Sequence, residues 1–156
     1  MTLLESAMYG RLFKPTELGF NFAQCGDDKR AVRAKILSTK YRGGTTNIPP
    51  AMDMAKEQFS ARAGARSGAK KAVVLFSDGM HNARTSYDAL GPSGLALRKL
   101  GVATYAVTMT KYASGFNRLK TIVGDKGRVN YRKDFRKFAA KFARLYNNVD
   151  GNGRCR

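Results

Sequence analysis

Acidic residues are scarce in this 156-residue chain: 11 Asp and Glu stand against 29 Lys and Arg, a formal net charge of +18. That imbalance points to polyanions (sulfated glycans, nucleic acid or anionic lipid headgroups) without choosing among them. No recognised RNA- or DNA-binding signature accompanies the charge, which disfavours nucleic acid. No run of eighteen apolar residues occurs, so no segment reads as a membrane-spanning helix. The start, Met1-Thr2-Leu3-Leu4-Glu5-Ser6, lacks the basic residues and apolar run of a secretory signal. Two cysteines, Cys25 and Cys155, are too few for a disulfide framework, and both a bond and free thiols fit their positions. His81 is the single histidine, so an ordinary zinc cluster is excluded. No nucleophile–base pair with a supporting third group is visible, and the chain reads as a non-enzyme.

What is present suits one globular domain: the length fits the usual size of one, and 43% of residues are hydrophobic. We place the domain at 1–149 and a flexible tail at 150–156. Ala7 to Phe13 reads as a strand, Lys14-Pro15-Thr16-Glu17 as a turn, and Leu18, Phe20 and Phe22 alternate on one face of a second, edge strand. Asp27 or Asp28 caps a helix to about Thr39, with Val32 and Ile36 inward. Pro49 and Pro50 suit the first turn of the next helix, which carries Met52, Ala55 and Phe59 on one face. Ala61 to Lys71 reads as a helix end and an exposed loop. Ala72 to Phe76 is a continuous apolar run, the pattern of a strand buried on both faces. Ser86 to Leu100 is helical with a break at Gly91-Pro92, Val102 to Met109 is a second buried strand, Lys111 to Val123 a helix, and Arg128 to Tyr131 a short strand. Arg132 to Val149 forms a last helix with an apolar, largely aromatic stripe (Phe135, Phe138, Ala139, Phe142, Leu145 and Tyr146) that reads as core. Alternating strands and helices give an α/β fold, doubly wound, with a mostly parallel sheet.

Cations crowd two segments. Arg62, Arg66, Lys70 and Lys71 lie in the loop, and Arg132, Lys133, Arg136, Lys137, Lys141 and Arg144 on the last helix. They form either a solvated face or a polyanion-binding surface.

In an open parallel sheet, ligands collect beyond the carboxyl ends of the strands. Asp78 ends the first buried strand, and the loop Gly43-Gly44-Thr45-Thr46-Asn47 opens a helix that can bring the Thr46 hydroxyl to the same end. Carboxylate, hydroxyl and water are oxygen ligands for a hard cation such as Mg²⁺; Asp78-Gly79 also fits a plain turn. His81, three residues on, reads as a surface loop histidine.

These motifs resemble the von Willebrand factor A family. Gly43-Gly44-Thr45-Thr46-Asn47 resembles its second metal-site loop and Val73 to Gly79 its central strand, with Thr46 and Asp78 as ligands. Leu18 to Phe22 resembles its antiparallel edge strand. The resemblance implies a protein-binding and adhesion module, extracellular, which captures an acidic ligand of a matrix or cell-surface protein at a metal-ion-dependent adhesion site. The family's leading Asp-x-Ser-x-Ser strand and first helix have no counterpart here, and Ile48 stands where a second hydroxyl is frequent. The site is therefore expected to be incomplete, with weak or no Mg²⁺ binding. Sulfated-glycan binding by the basic surface is the alternative.

Overall fold

The computed structural model describes residues 3–5, 17–20, 28–40, 46–81 and 86–146. Strands β1 (Leu3–Glu5) and β2 (Glu17–Phe20) pair antiparallel, with Leu4 opposite Leu18. The strand read at Ala7 to Phe13 lies outside the described residues; the partner of β2 is the earlier Leu3–Glu5. Helix α1 (Lys29–Leu37) starts where Asp28 accepts hydrogen bonds from the N–H groups of Arg30 (2.8 Å) and Ala31 (3.1 Å). That cap satisfies donors that the first helical turn leaves without partners. None of α1 is buried, and Ile36, expected inward, is 38% exposed. The cap, more than apolar contact, holds this short helix.

Helix α2 (Ile48–Glu57) follows, with both prolines in its first turn. Then come strand β3 (Ala72–Ser77), helix α3 (Leu90–Lys99), strand β4 (Ala103–Thr108), helix α4 (Ala113–Val123), strand β5 (Val129–Tyr131) and helix α5 (Phe135–Tyr146). The expected break at Gly91-Pro92 does not occur. Pro92 sits in the first turn of α3, where its missing N–H forfeits no intrahelical bond.

Strands β3, β4 and β5 form a parallel sheet in that order, Val74 opposite Tyr105 and Ala106 opposite Val129. Because strand side chains alternate between faces, Val73, Leu75, Ala106 and Val129 turn to one side. There they join Met52 of α2, Leu97 of α3 and Leu119 of α4 in the main core. Each such buried aliphatic side chain contributes about 1.5–3 kcal/mol relative to exposure. Tyr105 turns to the other side, where α5 covers it: its ring lies 5.9 Å from Phe138 and 5.5 Å from Phe142.

Burial of β3 on both faces is not what the fold delivers. Its residues are half-buried, and Phe76 is 56% exposed, touching Phe135 at 5.9 Å. Among the described residues β3 has a strand neighbour only in β4. Among the described residues it is therefore an edge. Strand β4, flanked on both sides, has the burial expected of a central strand. The aromatic stripe of α5 is likewise core only in its middle: Phe138 is buried, Phe135 and Leu145 are exposed.

Candidate functional site

Asp78 stands at the C-terminal end of β3 (Ala72–Ser77). Beyond β3 the chain turns sharply. Ser77 Oγ accepts from the Gly79 N–H (3.0 Å), and Asp78 Oδ1 accepts from the Met80 N–H (2.8 Å). Gly79 adopts φ +76°, a region that side chains with a Cβ rarely enter. The turn rests on the first turn of α4: a Cβ on Gly79 would collide with the Gly115 carbonyl, and one on Gly115 with the Asp78 carbonyl. The Asp78 carboxylate is thus fixed by its own turn while the residue remains exposed.

His81 closes this loop against the second one. It is 2% exposed, not a surface residue, and its Nδ1 accepts the Ile48 N–H at 3.3 Å. Ile48 opens α2. Pro49 and Pro50 bring no N–H to that helix start, and the Asn47 side chain makes no capping bond. His81 therefore serves as a cap delivered from 33 residues away, and its Nδ1 must be the unprotonated nitrogen. The Tyr87 ring meets the imidazole edge-on at 5.4 Å. Thr46 and Asn47, both half-buried, immediately precede Ile48. One hydrogen bond thereby ties the Thr46 segment to the loop that holds Asp78.

Around this carboxylate lies an apolar and cationic rim. Met109, whose N–H donates to the Ser77 carbonyl (3.1 Å), is 51% exposed. Tyr112, held by a bond from its N–H to Thr110 Oγ1, is 67% exposed, and Met80 is exposed as well. Arg118 donates to Met80 Sδ at 3.1 Å and lies 4.1 Å above the Tyr87 ring. Sequence reasoning missed these side chains. Each follows a strand or sits one helical turn into α4, so the strand ends alone would have located most of them.

Mg²⁺ asks for about six oxygens in octahedral array. Thr46 and Asp78 offer one hydroxyl and one carboxylate, and Asp78 Oδ1 already accepts from Met80. Among the described residues no three His, Cys, Asp or Glu side chains gather as a metal-holding group. Thr46 and Asp78 by themselves supply fewer oxygens than that array.

The basic segments meet at the opposite end of the sheet. Lys70 Nζ donates to the Leu145 carbonyl in the last turn of α5 at 3.1 Å. That bond joins the loop bearing Arg62, Arg66 and Lys71 to the helix bearing Arg136, Lys137, Lys141 and Arg144. Arg132 and Lys133 stand at the other end of the helix. All of them are exposed except Lys71, which is half-buried. Arg128, not singled out in the sequence, lies 5.6 Å from the Tyr105 ring.

Known proteins share this fold. The sequence model described as von Willebrand factor type A domain matches residues 9–144. Over 94 residues, 60% of the chain, the sequence is 35% identical to von Willebrand factor A domain-containing protein 1 of Rattus norvegicus, and spans 21% of it. Proximal thread matrix protein 1 from the mussel byssus matches 94% of the chain with a TM-score of 0.71 at 19% identity; 35% of that protein is covered. Manganese-loaded TRAP protein of Plasmodium vivax matches 80% of the chain with a TM-score of 0.65 at 20% identity, covering 51% of that protein. The two structures share the fold, and the chain spans about a fifth of the rat protein's length.

Proposed function

Because this chain belongs to the von Willebrand factor type A family, whose domains generally mediate protein binding and adhesion and are typically not enzymes, we propose that it is an extracellular adhesion module with an incomplete metal-ion-dependent adhesion site. Its partner is a matrix or cell-surface protein that engages the C-terminal edge of the sheet. The observation that carries this reading is the His81–Ile48 bond, which links the loop of Asp78 to the segment of Thr46 at that edge. With one hydroxyl and one carboxylate to hold it, a divalent cation binds weakly or not at all. Most of the contact with an acidic partner then comes from the exposed rim, Met80, Met109 and Tyr112, and from Arg118 beside it.

Calorimetric titration of the purified chain with Mg²⁺ and Mn²⁺, with Asp78→Ala as control, tests this. The expected result is no saturable heat at micromolar cation. Tight binding that the variant loses would show a competent site and overturn the incomplete one.

The bond between Lys70 and Leu145 favours a second reading, in which the joined basic segments bind a sulfated glycan. Salt separates the two. Binding through sulfates weakens steeply as salt rises, whereas capture of a carboxylate at a cation is abolished by chelation.

A further inference from the structure

All three residues of β5, Val129, Asn130 and Tyr131, line a groove of about 260 Å³ whose far wall is α5 and the turn before it, through Asp134, Lys137, Phe138 and Lys141. Successive strand residues point to opposite faces. A groove lined by three in a row therefore follows the backbone edge of the strand, not one of its faces. Among the described residues β5 has β4 as its one strand neighbour. An edge of this kind is a template for a further strand.

The groove has an apolar floor and a cationic wall. Val129 and Phe138 are each 7% exposed, whereas Lys137 and Lys141 are exposed. The two lysines are four residues apart on α5, about 6 Å along its axis. In an extended chain, residues i and i+2 lie on one side about 6.5 Å apart. The two spacings match, so a strand laid along β5 presents every second side chain to successive lysines.

We propose that the β5 edge takes up an extended segment of a partner protein that carries acidic residues at alternate positions. Its main chain adds a strand to β5, and two carboxylates at i and i+2 meet Lys137 and Lys141. Asp134 is the one carboxylate in the lining, and it opposes a third acidic residue at its level. The intervening side chain falls on the other face of the sheet, where Tyr131 stacks on Phe116 at 5.3 Å, and a β-branched residue suits that position. This edge is separate from the Asp78 turn, and the proposal does not depend on whether a cation is held there.

The test is fluorescence anisotropy of the full chain with a dye-labelled octapeptide of alternating Glu and Thr. Saturable binding is expected, weakened at least tenfold in the Lys137→Glu/Lys141→Glu variant. Both positions are exposed, so its thermal unfolding should match the parent. N-methylation of one alternate set of backbone amides should weaken binding at least tenfold, and methylation of the other set should not, since only one set faces β5. Neither methylation changes a charge, so this arm needs no protein variant. Equal binding by both methylated peptides would overturn strand addition, and undiminished binding by the charge-reversed variant would overturn the site. A sulfated oligosaccharide that displaces a peptide insensitive to methylation would assign the groove to glycans and overturn the proposal as well.

Discussion

The imidazole of His81 accepts the Ile48 N–H through Nδ1 at 3.3 Å, in a setting where only 2% of the histidine is exposed. This bond spans 33 residues and ties the loop after β3 to the start of α2.

Replacing His81 should therefore cost more than a surface histidine would. His81→Phe keeps a ring against Tyr87 but leaves the buried Ile48 N–H without its acceptor, a loss of about 1–3 kcal/mol. His81→Ala adds a cavity and should lose about 3 kcal/mol or more. Urea unfolding followed by circular dichroism checks this. The midpoint should fall in the order parent, Phe, Ala, with little change in slope. A midpoint unmoved in both variants would mean that the two loops are held together by other contacts.

Thr104 offers the opposite case. It is the second residue of β4, is fully buried, and its hydroxyl has no hydrogen-bond partner among the described residues. Thr104→Val replaces the hydroxyl with a methyl of similar size and removes the desolvation penalty of an unpaired group. A gain of about 1 kcal/mol in unfolding free energy is expected. Destabilisation would reveal a partner for the hydroxyl, such as a buried water.

Glycine substitution separates strain from collision. Gly79 and Gly101 have similar positive φ, +76° and +72°. An added Cβ at Gly101 meets nothing within 4 Å, whereas at Gly79 it runs into the backbone of Gly115. Gly101→Ala should cost about 1 kcal/mol, the conformational part alone. Gly79→Ala should cost clearly more, because α4 must also shift, and should disturb the Asp78 turn. Equal losses, measured by thermal unfolding of both variants, would show that α4 yields freely.

The sequence made some of these features readable and hid others, for physical reasons. Strand β4 was legible because a central strand is buried on both faces and its apolar run says so. Strand β3 carries the same run, Ala72 to Phe76, yet is half-buried, since local composition does not reveal whether a second neighbour stands beside it. Asp28 was readable as a cap because its partners are two and three residues away. The role of His81 was not, because its partner is remote and a loop histidine after Asp78-Gly79 looks exposed. The two basic segments were visible one by one; the Lys70–Leu145 contact that makes them neighbours is a product of the fold.

That contact supports one further prediction. Lys70 either caps the C-terminal end of α5 or forms part of a surface for linear polyanions, and the two roles leave different marks. As a cap, its ammonium favours the negative end of the helix dipole, and Lys70→Ala should cost about 0.3–1 kcal/mol of stability. As part of the surface, the same variant should also flatten the salt dependence of binding to a sulfated oligosaccharide. Each cation removed from the interface should lower the slope of log affinity against log salt by roughly 0.7–0.9, the counterion-release value for linear polyanions. Arg144→Ala, on the same end of α5, should produce a comparable change and add to the first, since charges on an exposed face act nearly independently. A chelator should leave both measurements unmoved. If stability falls and the slope stays constant, Lys70 is a helix cap alone, and the basic loop and the basic helix are two solvated surfaces that happen to touch.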